Sequence, residues 1–176
     1  NQYGFFSVES PPTKDELSIY YSTKYYQSPS GQYQNDYSDE EIRFFENKAK
    51  LALHTIKRIN SSAQSLFEVG CGEGFFADYF FKNNISDIEL NDISEYGLEK
   101  FNPHLLRFLK KLDVYDHIDA NVVSKKSFDI ISMDNVLEHV LGPEMLLTKL
   151  KDLMHRTSVL RITVPNDFSS FQDLLV

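Results

Sequence analysis

Residues 66–76 read LFEVGCGEGFF, a short apolar run that passes into glycine at every second position. Leu66, Phe67 and Val69 have the composition of a strand buried on both faces. Glu68 is the one charge inside it, and a buried charge needs a partner. Gly70, Gly72 and Gly74 can enter positive φ or leave room where a Cβ would meet a ligand, which suits a tight strand-to-helix turn. Phe75, Phe76, Tyr79, Phe80 and Phe81 then recur near helical spacing, so the turn is expected to open a helix packed on a sheet. Free N–H groups at the start of that helix would face a nucleotide-like ligand. On spacing alone, a purely structural turn is the alternative.

About 20 residues further on, Ile88-Glu89-Leu90-Asn91-Asp92 reads as a strand ending in a carboxylate, the place where a βαβ unit holds an acid for ribose hydroxyls. Asp92 is that candidate. It can equally serve, with Asn91 and Ser94, to start the helix expected from Glu95 onward.

Glu68-x-Gly70-x-Gly72-x-Gly74 resembles the first motif of the class I S-adenosylmethionine-dependent methyltransferases, and Asp92-Ile93-Ser94 resembles the acidic tip of their second strand. Ser127 to Val140, SFDIISMDNVLEHV, is similar to their fourth strand and the helix after it, and Val159 to Asn166 to their fifth strand. The resemblance runs in order from Ser65 to Asn166. It implies a three-layer α/β, Rossmann-like fold with a parallel sheet, and S-adenosylmethionine as cofactor. In a dinucleotide fingerprint the third glycine falls three residues after the second, where this chain has Phe75, so a nicotinamide-dependent oxidoreductase is the weaker reading.

The resemblance also implies roles. Glu68 would orient the glycine turn or the methionine amino group. Gly70, Cys71, Gly72 and Gly74 would lie against the cofactor, Asp92 and Ile93 at its ribose, and Met133, Asp134 and Asn135 at its sulfonium end. An acidic residue after the third strand would sit beside the adenine; Asp116 is chosen for its distance from Phe128, with Asp113 and Asp119 as alternatives. The third strand itself is expected near Asp113 to Asn121, after a helix begun at Asn102-Pro103 with Leu105, Phe108, Leu109 and Leu112 on one face.

Asn135, Glu138 and His139 are spaced to share one face of a helix turn beginning at Val136. His139 is the candidate catalytic base, since imidazole titrates near neutral pH and a hydroxyl becomes nucleophilic as its proton leaves. Glu138 and His139 with Asp134 or Asn135 would be the alternative chemical use, a divalent metal site, and a plain helix start with His139 hydrogen-bonded to the backbone is the structural alternative. In ubiquinone-biosynthesis O-methyltransferases, which the VLEHV tract resembles, a Glu stands where this chain has Asn135, and no metal is assigned. Methyltransferases acting on amide or exocyclic amino nitrogens often carry Pro-Pro after the Asp or Asn here. The sequence Asp134-Asn135-Val136-Leu137 favours a small-molecule hydroxyl acceptor instead. A cofactor- or partner-binding module without catalysis is the competing class.

Composition sets outer limits. The chain has 176 residues, a net charge of −8 and a sequence pI near 5.1, which argues against a sequence-independent grip on nucleic acid. No apolar run approaches the ~20 residues that cross a bilayer. The lone Cys71 excludes an internal disulfide and suits a reducing, cytoplasmic setting.

Two segments organise the chain: a tyrosine-rich extension or lid over residues 1–37, with seven of the ten tyrosines, and the cofactor-binding domain over 38–176. Tyr20, Tyr21, Tyr25 and Tyr26 are the lid candidates; packing on the core is the alternative. Ser38 to Glu41 makes a capping box, and Ile42, Phe45, Ala49, Ala52, Ile56 and Ile59 mark a long amphipathic helix. Gly142-Pro143-Glu144 opens another, with Leu146, Leu147, Leu150 and Leu153 as core. The resembled fold ends in two further strands, roughly 50 residues more than remain after the fifth. The expectation is a truncated chain, or an edge completed by other means, with homodimerisation through that edge.

Overall fold

The computed structural model of the chain describes residues 10–21 and 36–166. Two compact units divide it, residues 1–35 and 36–176. In the first, Thr13 caps α1 (Lys14–Ile19) through a reciprocal box with Glu16, and the rings of Tyr20 and Tyr21 meet edge-on at 5.2 Å. Tyr25 and Tyr26 lie outside the described residues.

In the second unit Ser38 and Glu41 form the expected capping box at the start of α2 (Asp39–Ile59). Next come β1 (Ser65–Val69), α3 (Phe75–Lys82), β2 (Asp87–Asp92), α4 (Tyr96–Phe101) and β3 (Leu109–Lys111). The chain continues through α5 (Val114–Val123), β4 (Phe128–Asp134), α6 (Pro143–Lys151) and β5 (Met154–Thr163). The five strands form one sheet in the order β3-β2-β1-β4-β5, and every pairing is parallel. The chain therefore winds outward from β1 to one side, returns, and winds outward to the other. This places the topological switch point between β1 and β4, where open α/β sheets bind ligands at the carboxyl ends of their strands.

Side-chain alternation divides the core between the two faces. Leu66 and Ile130 pack with Ala49 and Ile56 of α2 and Ala77 and Phe80 of α3. Phe67, Val69, Ile131 and Met133 pack instead with Ile118 of α5 and Leu146 and Leu150 of α6. A strand covered on both faces must be apolar at successive positions, which accounts for the continuous runs of β1 and β4.

Three expectations are corrected. The segment from Pro103 to Phe108 is a 3-10 helix, and Leu109 and Leu112 leave its face: Leu109 opens β3, and Leu112 is exposed just beyond. The third strand is thus Leu109–Lys111, and Asp113 to Asn121 is helical, with Asp113 capping α5 by accepting from the Tyr115 N–H at 3.0 Å. After β4, Asn135 takes a left-handed φ of 53°, and only Leu137–His139 form a turn, of 3-10 type. Asn135, Glu138 and His139 accordingly do not share one face of an α-helix.

Candidate functional site

The glycine turn sits at the switch point, with Gly70, Gly72 and Gly74 at φ of 65°, 52° and 77°. The left-handed region costs an L-residue roughly 1–2 kcal/mol, and sets glycine apart here. What would surround an added Cβ differs among the three. At Gly70 it would lie 2.5 Å from a Val136 methyl, and at Gly74 2.4 Å from a Leu98 methyl. At Gly72, apart from its chain neighbours, no atom of the described residues comes within 4 Å. The first and last glycines thus make room for the protein itself, and the middle one faces open space.

The turn is fastened from several sides. The Gly72 N–H donates to Asp92 Oδ2 at 2.9 Å, and the Ser94 N–H to Asp92 Oδ1 at 2.9 Å. The Cys71 N–H donates to the Asn91 carbonyl at 3.0 Å, and the buried Asn102 amide to the Glu73 carbonyl at 2.8 Å. The Tyr37 hydroxyl donates to the Glu73 carboxylate at 2.5 Å, with its ring seated against Phe45, Phe75 and Phe101. Gly97 of α4 packs directly beneath, since a Cβ there would lie 2.6 Å from the Gly72 carbonyl oxygen.

Asp92 therefore holds the glycine turn and the loop that leads into α4 together, which is the loop role open from sequence. Burial raises its carboxyl above the ordinary range, against the N–H groups of Ser94, Gly72 and Ile93, which favour the charged form. Ile93 comes next in the chain and is half-buried. Cys71 is 6% exposed, and burial, with Asp92 and Glu68 nearby, drives its thiol well above the ordinary value. It acts as a small packing group, since the thiolate is the nucleophilic form.

Glu68 is 4% exposed, and its Oε2 has neither solvent nor a hydrogen-bond partner. Burial and the Asp134 carboxylate push its carboxyl up to about 8, opposed by Arg161 and the Ala77 N–H. Asp134, at the end of β4, lies between two cations: Lys48 of α2 at 2.8 Å and Arg161 of β5 at 3.1 Å. Arg161 also donates to Ser132 Oγ at 3.1 Å and rests over the Phe76 ring at 4.7 Å.

The remaining candidates separate. Met133 is fully buried in the α5/α6 core, so only its backbone reaches the crevice end of the strand. Asn135 is exposed and its N–H donates to the Thr163 carbonyl at 2.9 Å. Asp116 is an exposed residue in the first turn of α5, whereas Asp113 lies between β3 and that helix. The His139 ring is half-exposed, with Nε2 3.8 Å from the Glu138 carboxylate. Among the described residues no three His, Cys, Asp or Glu side chains converge as a metal site, and no helix is long and apolar enough to cross a membrane.

Gly97, Lys48 and Arg161 are not singled out by sequence, and Asn102 only as a helix start. An isolated glycine inside a helical segment is the signal that could have found Gly97. The other three gain their meaning from partners far away in the chain.

A parallel sheet with a glycine turn and an acidic second-strand tip at its switch point defines a Rossmann-like fold. The chain belongs to a methyltransferase domain family, which matches residues 36–175. No curated protein sequence matches it significantly. Among solved structures, the fold is similar to the sugar N-methyltransferase KedS8 from Streptoalloteichus, with a TM-score of 0.58 at 15% identity, over 92% of this chain and 60% of that one. A SAM-dependent methyltransferase from Archaeoglobus fulgidus aligns with a TM-score of 0.57 at 20% identity, over 77% of this chain and 60% of that one. The plantazolicin methyltransferase BpumL, solved with SAH, gives 0.55 at 18% identity, over 83% and 56%. The chain thus spans about 60% of the length of the first two.

Proposed function

We propose that the chain binds S-adenosylmethionine at the glycine turn and transfers its methyl group to a small molecule. The observation that carries this reading is the space over Gly72 that is open among the described residues, between two glycines closed by the protein's own side chains. A cradle that a Cβ would fill, beside the buried carboxyls of Asp92 and Glu68, suits a ligand with hydroxyls and positive charge. Bound there, S-adenosylmethionine supplies a methyl group on an already activated sulfonium.

The residues of the chain then have separable tasks. Asp92 keeps the turn in shape and presents a carboxylate to ribose hydroxyls. Glu68 and Asp134 place negative charge, actual or available, beside the cationic end. The backbone of β4 and Asn135 borders the path to the acceptor, and Asp113, just past β3, joins Asp116 as a candidate beside the adenine. Alignment and exclusion of water are the protein's main contributions to such a transfer.

The acceptor we favour is a hydroxyl. His139 would take its proton, with the neighbouring Glu138 carboxylate stabilising the imidazolium. An amine is the second reading, supported by the N-methyltransferases among the neighbours in fold, KedS8 and coclaurine N-methyltransferase.

Calorimetric titration with S-adenosylhomocysteine, with NAD in parallel, tests the cofactor. Micromolar binding of S-adenosylhomocysteine alone is expected; binding of NAD alone, or of neither, would defeat the reading. Asp92→Ala should weaken that binding by about 1–3 kcal/mol, because it removes ribose contacts and leaves the Gly72 N–H without its acceptor. Unchanged affinity would take Asp92 out of the site. Panels of hydroxyl and amine acceptors, scored for methylated product, separate the two acceptor readings.

A further inference from the structure

The charges beneath the turn form a closed group with one unsatisfied member. Glu68 Oε2 is buried and has no partner. Facing this carboxyl are Asp134 from β4, Arg161 from β5 and Asp92 from β2, with the Cys71 thiol in the turn above. Lys48 of α2 stands behind Asp134. Arg161 is committed to Ser132 and Asp134, and Lys48 to Asp134. Two carboxylates therefore oppose a third negative charge at Glu68, and neither cation makes a hydrogen bond to it.

We propose that Glu68 couples ligand binding to proton release: a cationic group arriving at the turn converts its carboxylic acid to the carboxylate, the O–H bond breaking and the proton passing to solvent. The inference rests on the reading of the turn as an S-adenosylmethionine site and adds to it a step in the binding event. An opposite charge within roughly 4–6 Å favours a carboxylate by about one to three powers of ten in its proton equilibrium. Such a change carries a group that is protonated at pH 7 to the ionised side. Contact with Oε2 is not needed, because the effect acts through space in a dry environment.

The test is calorimetric titration with S-adenosylmethionine at pH 7 in buffers of different ionisation enthalpy, for the native chain and Glu68→Gln. The native chain should release more protons than the variant, by close to one per ligand bound. Its affinity should also tighten severalfold from pH 6 to pH 7, since proton release favours binding at higher pH. Glu68→Gln should fold and melt like the native chain at pH 7, the amide standing in for the neutral acid. Equal proton counts in the two proteins, or a native affinity independent of pH below 8, would overturn the coupling while leaving the cofactor reading intact. A variant that fails to fold would also overturn it, by showing that the unliganded protein needs the carboxylate. No binding by either chain would remove the cofactor reading, and the coupling with it.

Discussion

Gly97→Ala is expected to loosen the glycine turn and, with S-adenosylhomocysteine bound there as proposed, to weaken that binding at least tenfold, although the residue lies outside every glycine motif. Its added Cβ would stand 2.6 Å from the Gly72 oxygen, 2.7 Å from the Gly72 carbonyl carbon and 2.9 Å from the Glu73 nitrogen. All three are backbone atoms, so no side chain can swing aside and the turn itself has to move. Alanine gains about 1 kcal/mol over glycine in a helix interior. Overpacking typically costs about 1–3 kcal/mol, and the larger figure is expected against backbone. A net stability loss of about 1–2 kcal/mol should accompany the loss of affinity. Thermal unfolding and calorimetry on the same sample read both. Gly72→Ala is the comparison: its methyl meets no atom of the described residues within 4 Å beyond its chain neighbours, so its stability loss should be limited to left-handed strain while the methyl would intrude on the proposed ligand's space. Native affinity in Gly97→Ala would mean that the turn tolerates displacement, contrary to the role given to it.

The second large effect lies away from the site. Glu89 of β2 is 7% exposed, and its carboxylate receives the Asn121 amide, the Lys126 ammonium and, at 2.7 Å, the His117 ring. Burial works against its charge, but the hydrogen bonds from His117, Lys126 and Asn121 prevail and hold the carboxyl at about 2, below the ordinary 4.5. Glu89→Ala would leave the buried His117 and Asn121 without their acceptor, and a loss of about 3–5 kcal/mol is expected, as for breaking other buried charged clusters. The sign of the pH effect comes from the lowered value. The stabilisation is fully present above 4.5, where the carboxyl is ionised even in the unfolded chain, and is lost as pH falls from there through about 2. Denaturant melts between pH 6 and pH 2 should show a decline of about 3 kcal/mol attributable to this group. Glu89→Gln should flatten that decline. A variant as acid-sensitive as the native chain would assign the decline to other carboxyls, such as Asp129, which the Gln64 and Ser65 N–H groups also hold low despite burial.

Where local pattern and tertiary role coincide, the sequence is readable. The glycine turn, the Asp92 tip, the Ser38 cap and the apolar runs of β1 and β4 stand where their residue types place them. The third strand does not, because at a sheet edge it needs only three residues, Leu109–Lys111, and two of them are lysines. Phe108, Leu109 and Leu112 meanwhile imitate helical spacing. Asn135 misled for a related reason: the spacing of Asn135, Glu138 and His139 is helical, but the backbone turns left-handed at Asn135 and its N–H is taken by β5. The charge group of Lys48, Asp134 and Arg161 joins residues from α2, β4 and β5, and no local window contains it.

Four successive residues of the glycine turn, Cys71 through Gly74, are tied by their own backbone or side-chain bonds to β2, to Asn102, to Tyr37 or to one another. Fixing a backbone residue costs roughly 1–2 kcal/mol in lost freedom, and here that loss is met during folding, before any ligand arrives. The turn therefore behaves as a mould rather than a clasp. Substitutions at Asn102 or Tyr37, whose side chains tie the turn, can alter affinity for a ligand of that turn by returning to the unliganded turn a freedom that binding must then remove.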